Sequence, residues 1–319
     1  MKDQQTFVLP LPDSGYNLIV ILGPTASGKT AVAAHVAYHL HSAVISADSR
    51  QVYKGMDIGS GKDREEYFVN GVPVPCYLID LHEPGYKYNV FEYQQDFYKV
   101  FASLRAQGQL PVLCGGSGLY IEAVLKGYPM PAVPPDPSLR AELEKKTDEE
   151  LVSLLASMKK LHNRTDTSTR KRLIRAIEIE TYLRQHPEAL PQYPEIVPFV
   201  VGISYPREIQ RERITQRLHQ RLKKGLVEEV EALLQKGVSV SDLMYYGLEY
   251  KWVVQYLVGM VSYEEMVSRL NTAIHQFAKR QMTWFRKMQR EGFDIHWIEG
   301  ELPFEEKVRK IISFIQPAQ

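Results

Sequence analysis

The chain has 319 residues, of which 44% are hydrophobic and 24% are charged, and its formal net charge is +1. This composition excludes a disordered chain, and no apolar run approaches the ~20 residues that a membrane-spanning helix requires. The two cysteines are far apart, which argues against a disulfide framework, and the N-terminal segment lacks the pattern of a signal peptide. We therefore expect a cytoplasmic protein without membrane association, and no feature of the sequence indicates an oligomer instead of a monomer.

Short apolar strands alternate with helical patterns in the first part of the chain. The patterns predict strands at 18–22, 44–46, 77–80 and 110–114, with helices at 31–40 and 91–107. Strands that alternate with helices are typical of a parallel α/β sheet.

The pattern changes near residue 128. A proline-rich connector at 129–137 leads into a helical stretch at 138–185 with a polar break at 163–169, and a second proline-containing connector follows. Residues 199–203 predict a return to the sheet, 206–290 predict long helices, and 294–298 predict a last strand. We predict an α/β core of residues 1–128 and 198–319, interrupted by an all-helical insertion at 129–197.

A glycine-rich loop follows the first strand and precedes the first helix. Its sequence fits the P-loop pattern G-x4-G-K-[ST] over Gly23, Pro24, Thr25, Ala26, Ser27, Gly28, Lys29 and Thr30. Backbone N–H groups of such a loop form an anion site at a helix N-terminus, Lys29 can contact phosphate oxygens, and the Thr30 hydroxyl can bind Mg²⁺. An ordinary glycine-rich turn is the alternative. The pattern indicates a phosphate group, and alone it does not distinguish ATP from another phosphate ligand.

Asp48 directly follows the second strand. Ligands of an open α/β sheet bind at the carboxyl ends of its strands, so a carboxylate there can bind Mg²⁺ or act as a general base. An aspartate at this position is also common as a simple loop cap.

Two segments of the chain are basic although the whole is nearly neutral. Residues 159–224 contain 15 Lys and Arg against 7 Asp and Glu, and residues 271–290 contain five basic and no acidic residues. This distribution fits a polyanion-binding surface, and it also fits solvated helix faces. Arg213, Arg217 and Arg221 recur every four residues on one predicted helix face.

Four segments together resemble the tRNA dimethylallyltransferases, also called tRNA isopentenyltransferases. They are GPTASGKT from residue 23, ISADSRQVYKGMDIG from residue 45, GQLPVLCGGSGLY from residue 108 and KRQMTWFR from residue 279. The resemblance extends from about residue 18 to 298. It implies a P-loop NTPase-like α/β core with a helical insertion, and transfer of a dimethylallyl group from dimethylallyl diphosphate to N6 of the adenosine just 3′ of the anticodon (position 37) of tRNA.

The resemblance also implies roles for individual residues. The P-loop would hold the diphosphate, and Lys29, Arg217 and a Mg²⁺ ion at Thr30 would neutralise it as it leaves. Asp48 would hydrogen-bond the adenine N6 and take its proton. The other positions implied to contact tRNA, through its anticodon stem-loop, are Ser49, Arg50, Gln51, Ser117, Arg140, Lys171, Arg172, Leu173, Ile174, Arg175, Lys279, Arg280, Gln281, Met282, Thr283, Trp284, Phe285 and Arg286.

The sequence departs from the family pattern at two places. The usual DIGTAKP is Asp57-Ile58-Gly59-Ser60-Gly61-Lys62-Asp63 here. An R-x-x-G-Y-[RK] segment is replaced by MYYGLE at 244–249, so both basic residues are lost and Glu249 introduces a negative charge. No Cys/His cluster like the eukaryotic C-terminal zinc finger is present, and we predict no zinc site.

Three other functions remain open from the residues alone. An adenylate isopentenyltransferase would use the same donor with free AMP, ADP or ATP as acceptor. A small-molecule kinase would bind ATP at the same loop. A non-catalytic RNA-binding protein would retain only the fold.

Overall fold

A computed structural model describes residues 15–161 and 166–315 of the chain. The N-terminal segment in which we predicted no signal peptide, and part of the polar break predicted at 163–169, lie outside these residues. The chain divides into two compact units. One unit takes in the residues up to Lys126 and those from Glu195 onward, and the other takes in Gly127–Pro194.

A parallel sheet of six strands forms the centre of the first unit. The strands are β1 (Leu18–Leu22), β2 (Val44–Ala47), β5 (Cys76–Tyr77), β6 (Val112–Gly115), β7 (Pro198–Ser204) and β8 (Ile295–Glu299), and a separate antiparallel hairpin consists of β3 (Phe68–Val69) and β4 (Val72–Pro73). The strand order in the sheet is β5-β2-β6-β1-β7-β8. The predicted α/β fold class, with a parallel sheet at its core, is confirmed.

The register places three loop starts side by side at the carboxyl edge of the sheet. Leu22 of β1 pairs with Gly115 of β6, which also pairs with Ala47 of β2. The P-loop therefore begins next to Asp48 and next to the Gly116–Ser117 turn. All five residues of β1 are buried, because the strand lies in the interior of the sheet and is covered on both sides.

The strand predicted at 77–80 is wrong over most of its length, because β5 ends at Tyr77. Leu78 and Asp80 have φ angles of 61° and 54°, which an extended strand does not allow. The chain turns here because the Asp80 N–H donates to the Gln51 carbonyl at 3.0 Å and Lys62 Nζ donates to Asp80 Oδ1 at 2.5 Å.

Helices surround the sheet and extend from it. They are α1 (Lys29–His39), α2 (Val90–Ala106), α3 (Gly118–Leu125), α7 (Arg207–Lys223), α8 (Leu226–Gln235), α9 (Val240–Tyr245), α10 (Leu248–Leu257), α11 (Tyr263–Arg290) and α12 (Phe304–Ile315), with a 3₁₀ turn at Arg64–Tyr67. A capping box of Ser262 and Glu265 begins the long helix α11. We predicted no element after residue 298, and α12 adds one that packs against α1 through Phe304 and His35, whose ring centroids are 4.6 Å apart.

The second unit consists of helices α4 (Pro137–Leu143), α5 (Asp148–Met158) and α6 (Arg170–Gln185), followed by a 3₁₀ turn at Pro187–Ala189. Its small core contains the buried residues Leu143, Leu151, Leu155, Leu173, Ile174, Ala176 and Ile177. Asp136 accepts hydrogen bonds from the N–H groups of Ser138 and Leu139 and so caps α4.

None of the helices within the described residues has an apolar stretch that is long enough to cross a membrane.

Candidate active site

The carboxyl edge of the sheet opens into a cavity of about 1030 Å³. Its wall is formed by the P-loop after β1, the loop after β2, the Gly116–Ser117 turn after β6, and side chains of α7 and α11. Lys29, Thr30, Asp48, Ser117 and Arg217 all line it. The structure thus places the four residues that we predicted to be catalytic in one cavity.

The P-loop has the backbone shape that phosphate binding requires. Gly28 lies at the N-cap of α1 with φ of 76°, a left-handed conformation that favours glycine. The first N–H groups of α1 are left without intrahelical partners, so they present positive partial charge at the cavity.

Lys29 brings a positive charge into the cavity. The only protein acceptor of its ammonium group within the described residues is the Pro24 carbonyl, at 3.4 Å. Burial lowers the pKa of Lys29, and the nearby Arg217 lowers it further, while Cys114 and Asp48 act in the opposite direction. A bound anion would stabilise the charged form, so this lysine is suited to hold a phosphate group.

One face of α7 contacts the P-loop directly. Gln210 Nε2 donates to the Thr25 carbonyl at 2.6 Å, and Arg213 Nε donates to the Ala26 carbonyl at 2.9 Å. Arg217 lies 3.4 Å from the Thr25 hydroxyl and forms an ion pair with Asp63 at 2.7 Å. The four-residue arginine repeat therefore faces the cavity and is not a solvated helix face.

Asp48 lies where the loop after β2 begins. Its Oδ1 accepts the Arg50 N–H at 2.9 Å, while its other carboxylate oxygen has no protein donor within the described part of the chain. The Ser49 N–H donates to Ser117 Oγ at 3.1 Å, which joins this loop to the turn after β6. Asp48 is thus oriented by the backbone and keeps one oxygen available to a substrate.

Gln51 has a different place from the one predicted. Its side chain points inward, accepts a hydrogen bond from Ser46 Oγ at 3.1 Å and donates to the Gly61 carbonyl at 3.0 Å. The residue is only 8% exposed and its hydrogen bonds join two loops of the cavity wall, so its side chain has a structural role. The predicted contact with tRNA stays a prediction. Arg50 extends to the exposed ring of Tyr245, 5.4 Å from the ring centroid.

The predicted tRNA-contact segment 279–286 lies on α11 and divides between two faces. Lys279, Arg280, Thr283 and Arg286 are exposed, while Met282 and Trp284 are half-buried and Trp284 lines the cavity. Phe285 is fully buried, so its side chain packs in the core and does not contact tRNA as predicted.

Gln281 connects two parts of the cavity wall. Its Oε1 accepts the Thr25 N–H at 2.9 Å, and its Nε2 donates to the Gly116 carbonyl at 2.9 Å. The side chain is 7% exposed and both ends of its amide are used. It holds the P-loop against the turn after β6, and the predicted contact of its side chain with tRNA stays a prediction.

Replacing Gln281 by leucine is expected to lower the free energy of unfolding by about 1 to 4 kcal/mol, because it leaves one buried and one partly buried backbone group unpaired. Urea unfolding measures this loss. The control is Gln276→Leu, an exposed position on the same helix, which we expect to change stability by less than about 0.5 kcal/mol. Normal stability of Gln281→Leu combined with weaker tRNA binding would instead support a direct contact.

Two arginines of the second unit that we predicted to contact tRNA are bound to one buried carboxylate. Glu178 accepts two hydrogen bonds from Arg140, each at 2.8 Å, and is also paired with Arg175. Burial alone would raise the pKa of Glu178, but the Arg140 and Arg175 guanidinium groups and the Asp136 N–H lower it to about 2. Both arginines thus have a structural partner, whatever else they bind.

The remaining predicted residues of this unit divide by exposure. Lys171 and Arg172 are exposed at the start of α6, so contact with tRNA stays a prediction for them. Leu173 and Ile174 belong to the small core of the unit. Their side chains pack there and do not make the predicted contact.

Residues without a predicted role also line the cavity. Arg221 and Glu249 form an ion pair at 3.3 Å, so Glu249 lies in the cavity wall beside a cation. Glu66 lies near Lys29 and Arg217, and burial together with Asp63 raises its pKa. The four-residue spacing from Arg213 to Arg221 was the signal that could have indicated Arg221, whereas nothing local indicated Glu66.

Comparison with known proteins identifies the family. The profile of the IPP transferase family matches residues 51–288, and that of the isopentenyl transferases matches residues 16–80. The chain is 57% identical to tRNA dimethylallyltransferase 1 of Parabacteroides distasonis, over 92% of this chain and 95% of the relative. It is 55% identical to tRNA dimethylallyltransferase 2 of Bacteroides fragilis strain YCH46, over 94% and 97%.

Solved structures agree with this result. A full-length tRNA isopentenylpyrophosphate transferase from Bacillus halodurans matches with a TM-score of 0.68 and 32% identity, over 94% of this chain and 95% of that one. A eukaryotic dimethylallyltransferase acting on tRNA shares the fold with a TM-score of 0.75 at 18% identity, over 93% of this chain and 78% of that one. These findings confirm the resemblance, and the chain belongs to the IPP transferase family, the family of the tRNA dimethylallyltransferases.

Proposed function

We propose that this transferase moves a dimethylallyl group from dimethylallyl diphosphate to N6 of the adenosine just 3′ of the anticodon of tRNA and releases diphosphate. The observation that carries the proposal is the composition of one cavity. A phosphate loop with Lys29 and Arg217 occupies one part of its wall, and the Asp48 carboxylate occupies another. The transfer requires a site that binds the anionic leaving group and a side chain that accepts a proton.

The chemistry follows from these positions. The adenine N6 attacks C1 of the donor, the C1–O bond to the diphosphate breaks, and the N6 proton passes to Asp48. An exocyclic amine is a weak nucleophile, so orientation against C1 and charge stabilisation on the diphosphate supply most of the acceleration. Lys29, Arg217 and the P-loop N–H groups stabilise the negative charge that develops on the leaving oxygen.

A Mg²⁺ ion fits the same end of the cavity. The Thr30 hydroxyl lines it and has no hydrogen-bond partner in the described part of the chain, and oxygen ligands of this kind suit Mg²⁺ together with substrate phosphates. When bound, the ion would add positive charge next to the diphosphate oxygens. Thr30 is the residue that we propose to hold it.

Exposed basic side chains support the choice of tRNA as acceptor. Lys279, Arg280 and Arg286 lie exposed along α11, and Arg280 also lines the cavity. Such side chains bind RNA through its phosphates and fix its position. An adenine in the anticodon arm must leave its stack to reach the cavity, and we propose that it does so. We also propose that the enzyme acts as a monomer in the cytoplasm.

Prenyl incorporation decides between the acceptors. The protein is incubated with labelled dimethylallyl diphosphate, Mg²⁺ and either unmodified tRNA or AMP, and label in each acceptor is measured. We expect incorporation into tRNA at the adenosine 3′ of the anticodon. Incorporation into AMP alone would indicate an adenylate isopentenyltransferase, and ATP turnover on a small acceptor without prenyl transfer would indicate a kinase.

A further inference from the structure

The segment in which this chain departs from its family borders the cavity. The pattern implied by the resemblance has a basic residue at the position of Glu249. The structure places the Glu249 carboxylate against Arg221, with Oε1 3.3 Å from Nη1. Both side chains are largely buried, at 18% and 10% exposure, and both line the cavity. The negative charge at 249 is therefore accompanied by a positive charge from α7.

The guanidinium group of Arg221 is only partly used by the protein. An arginine has five N–H donors, yet the single hydrogen bond that Arg221 makes within the described residues is the one to Glu249. Its Nε is buried without any partner. Buried donors are nearly always paired, so this group is poised for an acceptor that the protein itself does not supply.

A second cation lies next to it. A Cβ built on Gly61 would overlap Arg221 Nη2 and would lie 2.8 Å from Arg217 Nη2, so the absence of a side chain at Gly61 leaves room for both guanidinium groups. Arg217 also lowers the pKa of Arg221, after burial, the larger cause. Arg217 is paired with Asp63, so each guanidinium group has one carboxylate partner and keeps further N–H donors for a bound anion.

We propose that Arg221 is a second diphosphate-binding arginine of this cavity, held in position by Glu249. Arg221 is one helical turn from Arg217, and Arg217 reaches the P-loop hydroxyl of Thr25. Because Arg221 lies in the cavity wall, we infer that its ligand is the diphosphate of the donor and not a phosphate of an RNA bound at the surface. This inference rests on the proposed function, because it names a further contact with the leaving group of that reaction.

Removing the pair without leaving an unpaired charge tests the proposal. The Arg221→Met/Glu249→Gln double variant removes both charges, and isothermal titration with inorganic diphosphate and Mg²⁺ measures the affinity directly. We expect the dissociation constant to rise roughly 10- to 100-fold, the effect of one lost charge-assisted hydrogen bond. The KM for dimethylallyl diphosphate should rise in parallel, while the KM for tRNA stays unchanged.

The single variant Glu249→Gln is expected to change the affinity for diphosphate in the opposite direction. It keeps Arg221 and a hydrogen-bonding oxygen but removes a negative charge from an anion site, so diphosphate should bind severalfold more tightly. If the Arg221–Glu249 pair has only a structural role, this variant should weaken diphosphate binding, as the double variant does. Arg221→Lys/Glu249→Gln should recover part of the affinity, because it restores a cation without the guanidinium geometry.

Arg211→Met is the matched control, since it removes one arginine from an exposed position of the same helix. We expect it to change diphosphate affinity by less than twofold. Three results would overturn the proposal. They are wild-type diphosphate affinity in the double variant, weaker diphosphate binding in Glu249→Gln, and a loss that is confined to tRNA binding. Diphosphate binding is measured without turnover, so a wild-type protein that fails to transfer a prenyl group would contradict the proposed function and leave this test intact.

Discussion

Replacing Asp48 by asparagine is expected to lower the rate of prenyl transfer by about 10² to 10⁴, the usual contribution of a general base. The asparagine side chain keeps the oxygen that accepts the Arg50 N–H, so the loop after β2 should retain its shape. What it loses is the capacity to take a proton from the adenine N6. Diphosphate affinity should not fall, because Asp48 is not part of the phosphate loop and its negative charge does not favour an anion.

Single-turnover measurements with saturating tRNA and dimethylallyl diphosphate isolate the transfer step from binding. Asp294→Asn is the matched control, because this carboxylate is 85% exposed and lies outside the cavity lining. A near-normal transfer rate in Asp48→Asn would remove Asp48 as the base. A large loss of diphosphate affinity would show that its main role is to shape the cavity.

The edge of the sheet was predictable from local patterns. The apolar strands that end just before Gly23, Asp48 and Gly116 lie in one parallel sheet, and the carboxyl ends of such strands meet at one edge. The P-loop and Asp48 could therefore be placed together without a structure. The strand at 77–80 could not be excluded, because the turn there depends on Lys62 and Gln51, which are distant in the sequence.

The inward-facing polar residues were not predictable from the sequence. Gln281 and Gln51 lie among exposed-looking polar neighbours, and only the packing of α11 and of the loop after β2 shows that their amides join parts of the cavity wall. Buried hydrogen bonds between distant segments leave no periodic signal, whereas apolar helix faces do. For the same reason Phe285 could be a stacking or a packing residue until its burial was known.

Net charge was a poor guide to the binding surface. The excess of basic residues at 159–224 includes Arg217 and Arg221, which face the cavity, and Arg175, which is paired with Glu178. Counting charges along the chain does not separate these from exposed ones such as Lys171. A basic side chain is available to RNA only if it lies on an exposed side of its helix and is not already paired with a carboxylate.

Replacing Lys29 by methionine is expected to lower kcat/KM for dimethylallyl diphosphate by at least about 100-fold, because a poorly solvated cation next to a leaving diphosphate is worth several charge-assisted interactions. Burial lowers the pKa of Lys29 from the ordinary value of 10.5, so the free protein loses this charge at a lower pH than an exposed lysine does. A bound diphosphate favours the charged form and raises the pKa again. Between these two pKa values, binding takes up a proton, and affinity falls as the pH rises through the pKa of the free protein.

Titration calorimetry in buffers of different ionisation enthalpy measures that proton uptake. Wild-type protein and the control Lys236→Met, an exposed lysine on the surface, should take up protons on binding diphosphate at alkaline pH, whereas Lys29→Met should show a smaller uptake. The difference between the variants cancels the titration of diphosphate itself, which is common to all three. Equal uptake in Lys29→Met, or an affinity within threefold of the wild-type value, would mean that the P-loop N–H groups and the arginines of α7 hold the diphosphate without this lysine.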